Sequence, residues 1–440
     1  GKTLQMICLA QELKEKEGVE HCLIICGINT LKSNWEKEIS KHSDLSCRVI
    51  GKRINKKGNI TYASVAERIK ELSSPIDEFF VILNIETLRS NDVIKKLRSG
   101  KNKFDMMVVD EIHVAKTPAS QQGRNLLKLT NAKFKIGLTG TPILNSPLDA
   151  YMPLKWTGND NSTYGNFKAQ YCVYGGPFNN EIVGYKNLDM LSEQIESCSL
   201  RRTKDLLNLP EKTVIDEVLD MAPDHQLLYS NICEGIVDQV DKVKLSVTNL
   251  LAMVTRLRQA TACPAILTTE NITPTKIDRC VELCNEIISN HNKVVVFSVF
   301  KDPLNELYKR LSNYKPLLCT GDVADAIISQ NIDKFQESDE NSVILCTTSK
   351  MGTGITLTAA SYAIFIDTPW TQGVTQQCED RIHRIGSGSP VFIYRLWCNN
   401  SIDMRVKKIL ENKEAIGDYI VDNIRDEKTL DILKEMITDL

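Results

Sequence analysis

Short runs of apolar, largely β-branched residues recur in two separate series along this chain, with amphipathic stretches between them, and that alternation leaves few folds open. The first series reads HCLIICG (21–27), FFVILNI (79–85), FDMMVVD (104–110) and KIGLTGT (135–141). The second reads KVVVFSVF (293–300), YKPLLCTG (314–321), SVILCTT (342–348), YAIFIDT (362–368) and VFIYRLW (391–397). Runs that are apolar throughout are strands buried on both faces, as in a parallel sheet. Amphipathic segments such as 3–17 and 120–129 separate them, and alternating strand and helix is the pattern of a doubly wound α/β sheet. At 440 residues the chain is long enough for more than one core. Two α/β lobes are therefore expected, 1–212 and 213–440, joined near Leu209-Pro210-Glu211-Lys212. Strand-like runs are few between 146 and 275, which predicts helical insertions from about 146 in the first lobe and over 225–270 in the second. After Ile402 the spacing turns helical, predicting C-terminal helices over 404–440.

Bulk composition narrows the class further. With 42% hydrophobic and 25% charged residues the chain is ordinary for a globular protein, and no apolar run approaches the roughly 20 residues of a membrane span. The 14 cysteines form no CxxC pair, which fits buried thiols in a reducing compartment. Cys280 and Cys284, four apart, come nearest to a metal pattern, but no second Cys or His pair accompanies them, so they read as core. A net charge of −2 supplies no global field for nucleic acid. Contacts to phosphate would have to come from local groups.

Four segments carry chemistry. Gly1-Lys2-Thr3 opens a helical pattern and matches the end of a phosphate-binding loop, with Lys2 set to neutralise β and γ phosphates and Thr3 to ligate magnesium. A plain helix start would explain the same tripeptide. MMVVDEIH places Asp110 and Glu111 at the C-terminal end of an apolar strand, where open α/β sheets bind ligands. Asp110 suits magnesium, and Glu111 suits orienting and deprotonating a water. His113 gains its interest from the DExH spacing. LTGTPILN follows a strand, with Thr139 and Thr141 flanking Gly140 as hydroxyl contacts for the DExH segment. QQCEDRIHRIG carries Gln377, Asp380, Arg381, His383 and Arg384. Its arginines, three apart, share one face of a helix or tight turn and could both address a γ-phosphate, although a charged surface helix would look similar.

In this order and at these distances, the segments resemble the Swi/Snf-type ATPases of helicase superfamily two, over nearly the whole chain. CLIICGINTLKSNWEKEI resembles motif Ia, which puts Trp35 near a DNA-facing surface; DEIHVAKTP resembles the DEAH box with its trailing Lys116; LTGTPILN resembles motif III. LRRTKDLLNLPEK resembles the block closing the first lobe, MGTGITLTAASYAIFIDTPW motif V, and QQCEDRIHRIGS motif VI. ITLTAAS and GYKNLDML look closest to the annealing-helicase branch with its phage and bacterial relatives. The chain departs from the family pattern at Ser387, where glutamine is usual, and at PWTQG in place of PWWNP. It opens on the last three residues of the DEMGLGKT motif, so restoring a preceding strand and glycine-rich loop is expected to raise ATP affinity.

The resemblance implies two tandem RecA-like (P-loop NTPase) lobes that hydrolyse ATP in the cleft between them while translocating on double-stranded DNA. It assigns Glu111, Arg381, Arg384, Gln377 and His113 to catalysis, Gly1, Lys2, Thr3, Asp110 and Gly354 to the nucleotide, and Thr3 with Asp110 to magnesium. Thr30, Asn84, Thr87, Thr353, Thr356 and Trp370 fall to DNA, largely on its backbone, which is sequence-blind. ATP and magnesium are the implied cofactors and duplex DNA the partner of a monomeric, membrane-independent motor. A bacterial or phage-infected cytoplasm is the expected location, or the nucleus in a eukaryote. Two rival readings stay open: a strand-separating helicase or restriction-system motor, and a DNA-binding scaffold without turnover. Intact Lys2, Asp110, Glu111, Arg381 and Arg384 argue against the scaffold.

Overall fold

The computed structural model describes residues 2–27, 29–54, 60–99, 102–140, 146–175, 181–201, 207–242, 247–351, 355–370 and 372–411. The chain forms two compact units, Gly1–Leu206 and Leu207–Leu440. Strands of the first unit are β1 (Cys22–Cys26), β2 (Cys47–Val49), β3 (Lys52–Ile54), β4 (Ile60–Tyr62), β5 (Phe80–Asn84), β6 (Met106–Asp110), β7 (Phe134–Leu138), β8 (Cys172–Gly175) and β9 (Glu181–Tyr185). Its helices are α1 (Lys2–Glu17), α2 (Asn29–His42), α3 (Val65–Glu71), α4 (Asn91–Arg98), α5 (Gln121–Leu126), α6 (Tyr151–Thr157), α7 (Tyr164–Tyr171) and α8 (Leu188–Cys198).

The five-stranded sheet runs β2-β5-β1-β6-β7 and is parallel throughout. Successive residues of its central strands enter opposite faces, as the pleat requires. Leu23, Ile25, Val81, Leu83, Met107 and Val109 pack on one side, while Ile24, Cys26, Phe80, Ile82 and Val108 pack on the other with Trp35 and Ile39 of α2. Both faces are covered, which is why these strands carry no polar alternation. From β1 the chain runs to the edge strand β2, returns to β5 beside β1 and then crosses to β6 on the other side, so the ends of β1 and β6 flank the point where strand order reverses. Ligands of open α/β sheets bind at such a point.

The second unit contains β10 (Lys212–Leu219), β11 (Val294–Ser298), β12 (Leu317–Cys319), β13 (Val343–Thr347), β14 (Tyr362–Phe365) and β15 (Val391–Cys398). They form a second parallel sheet in the order β10-β15-β14-β11-β13-β12. Its helices are α9 (Pro223–Lys242), α10 (Val247–Ala262), α11 (Thr275–Ser289), α12 (Asp302–Arg310), α13 (Asp325–Glu337), α14 (Thr348–Met351), α15 (Gln372–Glu379) and α16 (Ile402–Glu411). The two-lobe α/β expectation is met, and each apolar run of both series overlaps a strand.

Two features differ from the sequence expectation. The stretch read as helices and loops also holds the antiparallel hairpin β8–β9 and the eight-residue strand β10. β10 alternates half-buried and exposed residues at the sheet edge, so it lacks the continuous apolar run that marks the central strands. The helical prediction beyond residue 411 lies outside the described residues. Cys280 and Cys284 are fully buried in the core around α11. Among the described residues no Cys, His, Asp and Glu group forms a metal cluster, and no helix is long and apolar enough to cross a membrane.

Candidate active site

The fully buried strand β6 delivers Asp110 to its C-terminal end, where the residue is 7% exposed. The chain then turns at Glu111, whose φ of 49° and ψ of 51° lie in the left-handed region. A non-glycine residue there costs about 1–3 kcal/mol and persists only when its surroundings hold it. Ile112 supplies part of that hold. It lies against β7 at Gly137, where a Cβ would stand 2.9 Å from Ile112 Cδ1 and would make that side chain shift.

Glu111 consequently sits between two nitrogen groups. Lys2 Nζ, on the first turn of α1, lies 3.3 Å from Oε1, and His113 Nδ1 lies 3.3 Å from Oε2. His113 Nδ1 is also 2.9 Å from Thr139 Oγ1, just after β7. Burial, with Lys2 adding to it, pushes the His113 pKa down to about 4, so the ring is neutral at pH 7. The hydroxyl of Thr139 can donate or accept, so the direction of its bond to Nδ1 follows the imidazole tautomer. Lys2, Glu111, His113 and Thr139 thus form one polar line, and Lys2 Nζ also stands 4.0 Å from where a Gly140 Cβ would lie.

Both oxygens of Asp110 are engaged. Oδ1 accepts the Glu111 N–H at 3.0 Å, and Oδ2 accepts the indole N–H of Trp35 at 3.0 Å. Burial first, and the neighbouring Glu111 charge second, raise the Asp110 pKa, with Lys2 and Trp35 opposing. A bound cation would favour the ionised form instead. The donor types suit magnesium, which takes hard oxygen ligands from one or two protein groups together with phosphate: Asp110 offers a carboxylate and Thr3, half-buried one residue after Lys2, a hydroxyl. Trp35, expected to pack near a DNA-facing surface, is 1% exposed and gives its indole N–H to the metal-ligand candidate.

The residues assigned to DNA meet mixed surroundings. Asn84 and Thr87 are each 2% exposed, and Arg68 of α3 reaches both with one Nη1, at 2.9 Å to Asn84 Oδ1 and 2.8 Å to Thr87 Oγ1. Their side-chain oxygens are occupied by a residue that sequence reasoning did not single out. Thr30 belongs to the backbone of α2, but its side chain, like the whole of Gly1, Thr353 and Gly354, lies outside the described residues, as do Thr141 and Pro142.

In the second unit the two arginines follow α15 in a turn rather than lying on the helix. Arg384 Nη1 is 3.0 Å from Thr356 Oγ1, and the Arg381 carbonyl accepts the Leu357 N–H at 2.8 Å, so the two motif segments are tied together. Gln377 is half-buried on α15. His383 Nε2 bonds the Pro210 carbonyl at 2.8 Å, while buried Glu379 receives Lys212 and Arg395 at 2.8 and 2.6 Å, fastening the turn to β10 and β15. Trp370 is half-buried with the Arg258 guanidinium 4.7 Å over its ring.

The model of the SNF2-related domain matches residues 1–266, and that of the helicase conserved C-terminal domain matches 275–386. An uncharacterized ATP-dependent helicase of Mycoplasma pneumoniae is 27% identical, over 96% of this chain and 40% of its own. A putative ATP-dependent helicase/translocase YwqA of Bacillus subtilis is 24% identical, over 100% and 47%. The DNA annealing helicase and endonuclease ZRANB3 of Bos taurus is 26% identical, over 94% and 37%. The chain therefore spans less than half the length of these relatives. A solved Sulfolobus solfataricus SWI2/SNF2 ATPase core has 22% identity over 98% of this chain and 90% of that one, with a TM-score of 0.42. Because the SNF2-related model alone covers more than half of its residues, the chain belongs to the SNF2-related family.

Proposed function

We propose that the chain is the motor of a DNA-dependent ATPase that translocates on double-stranded DNA. The observation that carries the hydrolytic half is the polar line of Lys2, Glu111, His113 and Thr139 beside Asp110. ATP phosphates would draw the Lys2 ammonium away from Glu111 Oε1, leaving that oxygen to accept a proton from water. His113, neutral and anchored on Thr139, keeps Oε2 in place while this happens. Thr3 and Asp110 would hold magnesium, which when bound neutralises charge on the β and γ oxygens. Arg381 and Arg384, with Gln377 near them, are assigned to the transferring phosphate, where an arginine is worth about 10³–10⁵ in rate in related hydrolases.

Relatives named as a helicase/translocase and as a DNA annealing helicase support the DNA half. Motif Ia around Thr30, the segment 84–87 and motif V from Thr353 to Thr356 are assigned to the phosphodiester backbone. Since Arg68 occupies the Asn84 and Thr87 oxygens, contacts from that segment fall to main-chain N–H groups. Uncharged donors suit a chain with a net charge of −2. One observation favours strand separation instead: the hairpin β8–β9 exposes Val173, Ile182 and Val183, the kind of apolar edge a wedge needs.

The test is ATP turnover with duplex and with single strands of equal length, in the parent and in Glu111→Gln. Duplex should stimulate more, and the variant should bind nucleotide without turning it over. Equal turnover in variant and parent would overturn the hydrolytic assignment.

A further inference from the structure

The chain satisfies buried indoles in more than one way, and the contrast is informative. Trp156 is 1% exposed and donates its N–H to the Leu129 backbone carbonyl at 3.1 Å, while Trp397, 2% exposed, donates to Asp216 Oδ1 at 2.7 Å. Trp35 is as deeply buried, yet its N–H goes to Asp110 Oδ2, 75 residues away. The opposite oxygen of the same carboxylate takes the Glu111 N–H. Two donors on two oxygens restrain the plane of the carboxylate and leave one lone pair on each oxygen for a cation.

The helix that carries Trp35 is itself firmly seated. Lys32 and Trp35, at 0% and 1% exposure, and Ile39, also at 1%, recur at i, i+3 and i+7 on the face of α2 turned to the sheet. Lys32 Nζ stands 4.0 Å over the Tyr62 ring, and Glu36 pairs with Lys52 at 2.6 Å. Thr30 lies five residues before Trp35, about 7.5 Å along the same helix. A small shift of α2 therefore moves the indole N–H with it.

We infer that Trp35 is a positioning residue for the metal ligand, its indole N–H orienting the Asp110 carboxylate, and that α2 thereby links nucleic-acid contact at its N-terminal end to magnesium binding. The link to DNA rests on the function proposed above; the orientation of Asp110 does not. Groups that orient a metal ligand typically govern affinity by about 10–100-fold.

The experiment measures Mn²⁺ binding in the presence of ADP, by the loss of the free-ion paramagnetic resonance signal, on the full-length protein. Three proteins are compared: parent, Trp35→Phe, and Trp156→Phe, which loses an indole bonded only to a carbonyl. Trp35→Phe should weaken Mn²⁺ binding by about 10–100-fold, and Trp156→Phe should leave it unchanged. Duplex DNA should tighten Mn²⁺ binding in the parent and lose that effect in Trp35→Phe, with DNA affinity retained. Should Trp35→Phe unfold, benzothienylalanine at position 35 keeps the ring shape and removes only the N–H. Mn²⁺ affinity within about twofold of the parent in a folded variant overturns the inference. If DNA leaves the parent's ATPase and Mn²⁺ binding unmoved, the proposed DNA dependence and the α2 link fail together, while the Mn²⁺ comparison still decides the role of the indole.

Discussion

Arg68→Ala is expected to be among the most damaging single changes in the first unit, through hydrogen bonds rather than catalysis. Arg68 is 9% exposed and its guanidinium makes three bonds: Nε to the Ala63 carbonyl at 3.0 Å, and Nη1 to Asn84 and Thr87 at 2.9 and 2.8 Å. Thr87 Oγ1 also donates to Asn84 Oδ1 at 2.6 Å and survives the change. At a net value of about 1 kcal/mol each, the three lost bonds come to about 3 kcal/mol, with the relief of a buried cation and the stranding of two acceptors acting in opposite directions. For a domain the size of Gly1–Leu206 that corresponds to a fall of about 6–12 °C in its thermal transition. Calorimetry of the parent, Arg68→Ala and Arg68→Met separates hydrogen bonding from packing, because methionine keeps most of the aliphatic stem. Gly51 supplies a cross-check, since a Cβ there would stand 2.9 Å from Arg68 and its φ is +79°. The steric part of a Gly51→Ala cost should vanish in the Arg68→Ala background, leaving only backbone strain. A change under about 1 kcal/mol for Arg68→Ala would refute the reasoning.

Arg384→Ala should lose ATPase by several orders of magnitude while keeping its circular dichroism and thermal midpoint, because the half-buried guanidinium bonds Thr356 at a turn and fills no core. His225 is fully buried, with Nε2 on the Ala260 carbonyl and Nδ1 on the Thr275 hydroxyl, and burial, aided by Lys276, depresses its pKa against the partial opposition of the Ala260 carbonyl, Asp224 and Asp403. The unfolded ring takes a proton near 6.5 and the folded one only at lower pH, so stability present above about 6.5 is lost as pH falls from there towards the folded value. His225→Gln should flatten the thermal midpoint against pH in that window; an unchanged slope would contradict the sign. Lys276→Met should cost about 3–5 kcal/mol in urea unfolding, because the fully buried ammonium pairs with Asp403 and its removal strands a carboxylate.

What the sequence made legible follows from how each signal arises. The central strands β1, β5, β6, β11 and β13 are buried on every residue, and that burial writes a continuous apolar run. β10 pairs along only one edge and none of its residues is fully buried, so Asp216 and Glu217 disguise it as a junction. Asp110 and Glu111 were legible because charge at the end of an apolar strand has few bland explanations. Trp35 and Arg68 were not, since each acts on partners 16 to 75 positions away that only the fold brings near. The same distance effect turned Asn84 and Thr87 from apparent surface donors into buried partners of an arginine. No local spacing encodes such pairings.

The central claim is movement along duplex DNA, and displacement of a triplex-forming third strand tests it most directly. Strand separation must offset about 1.4 kcal/mol of stacking per base-pair step, whereas removing a third strand from an intact duplex does not. The account predicts ATP-dependent triplex displacement that disappears in Glu111→Gln and no opening of a forked duplex. Robust unwinding of the fork without triplex displacement would contradict it and assign the hairpin β8–β9 a wedge's role.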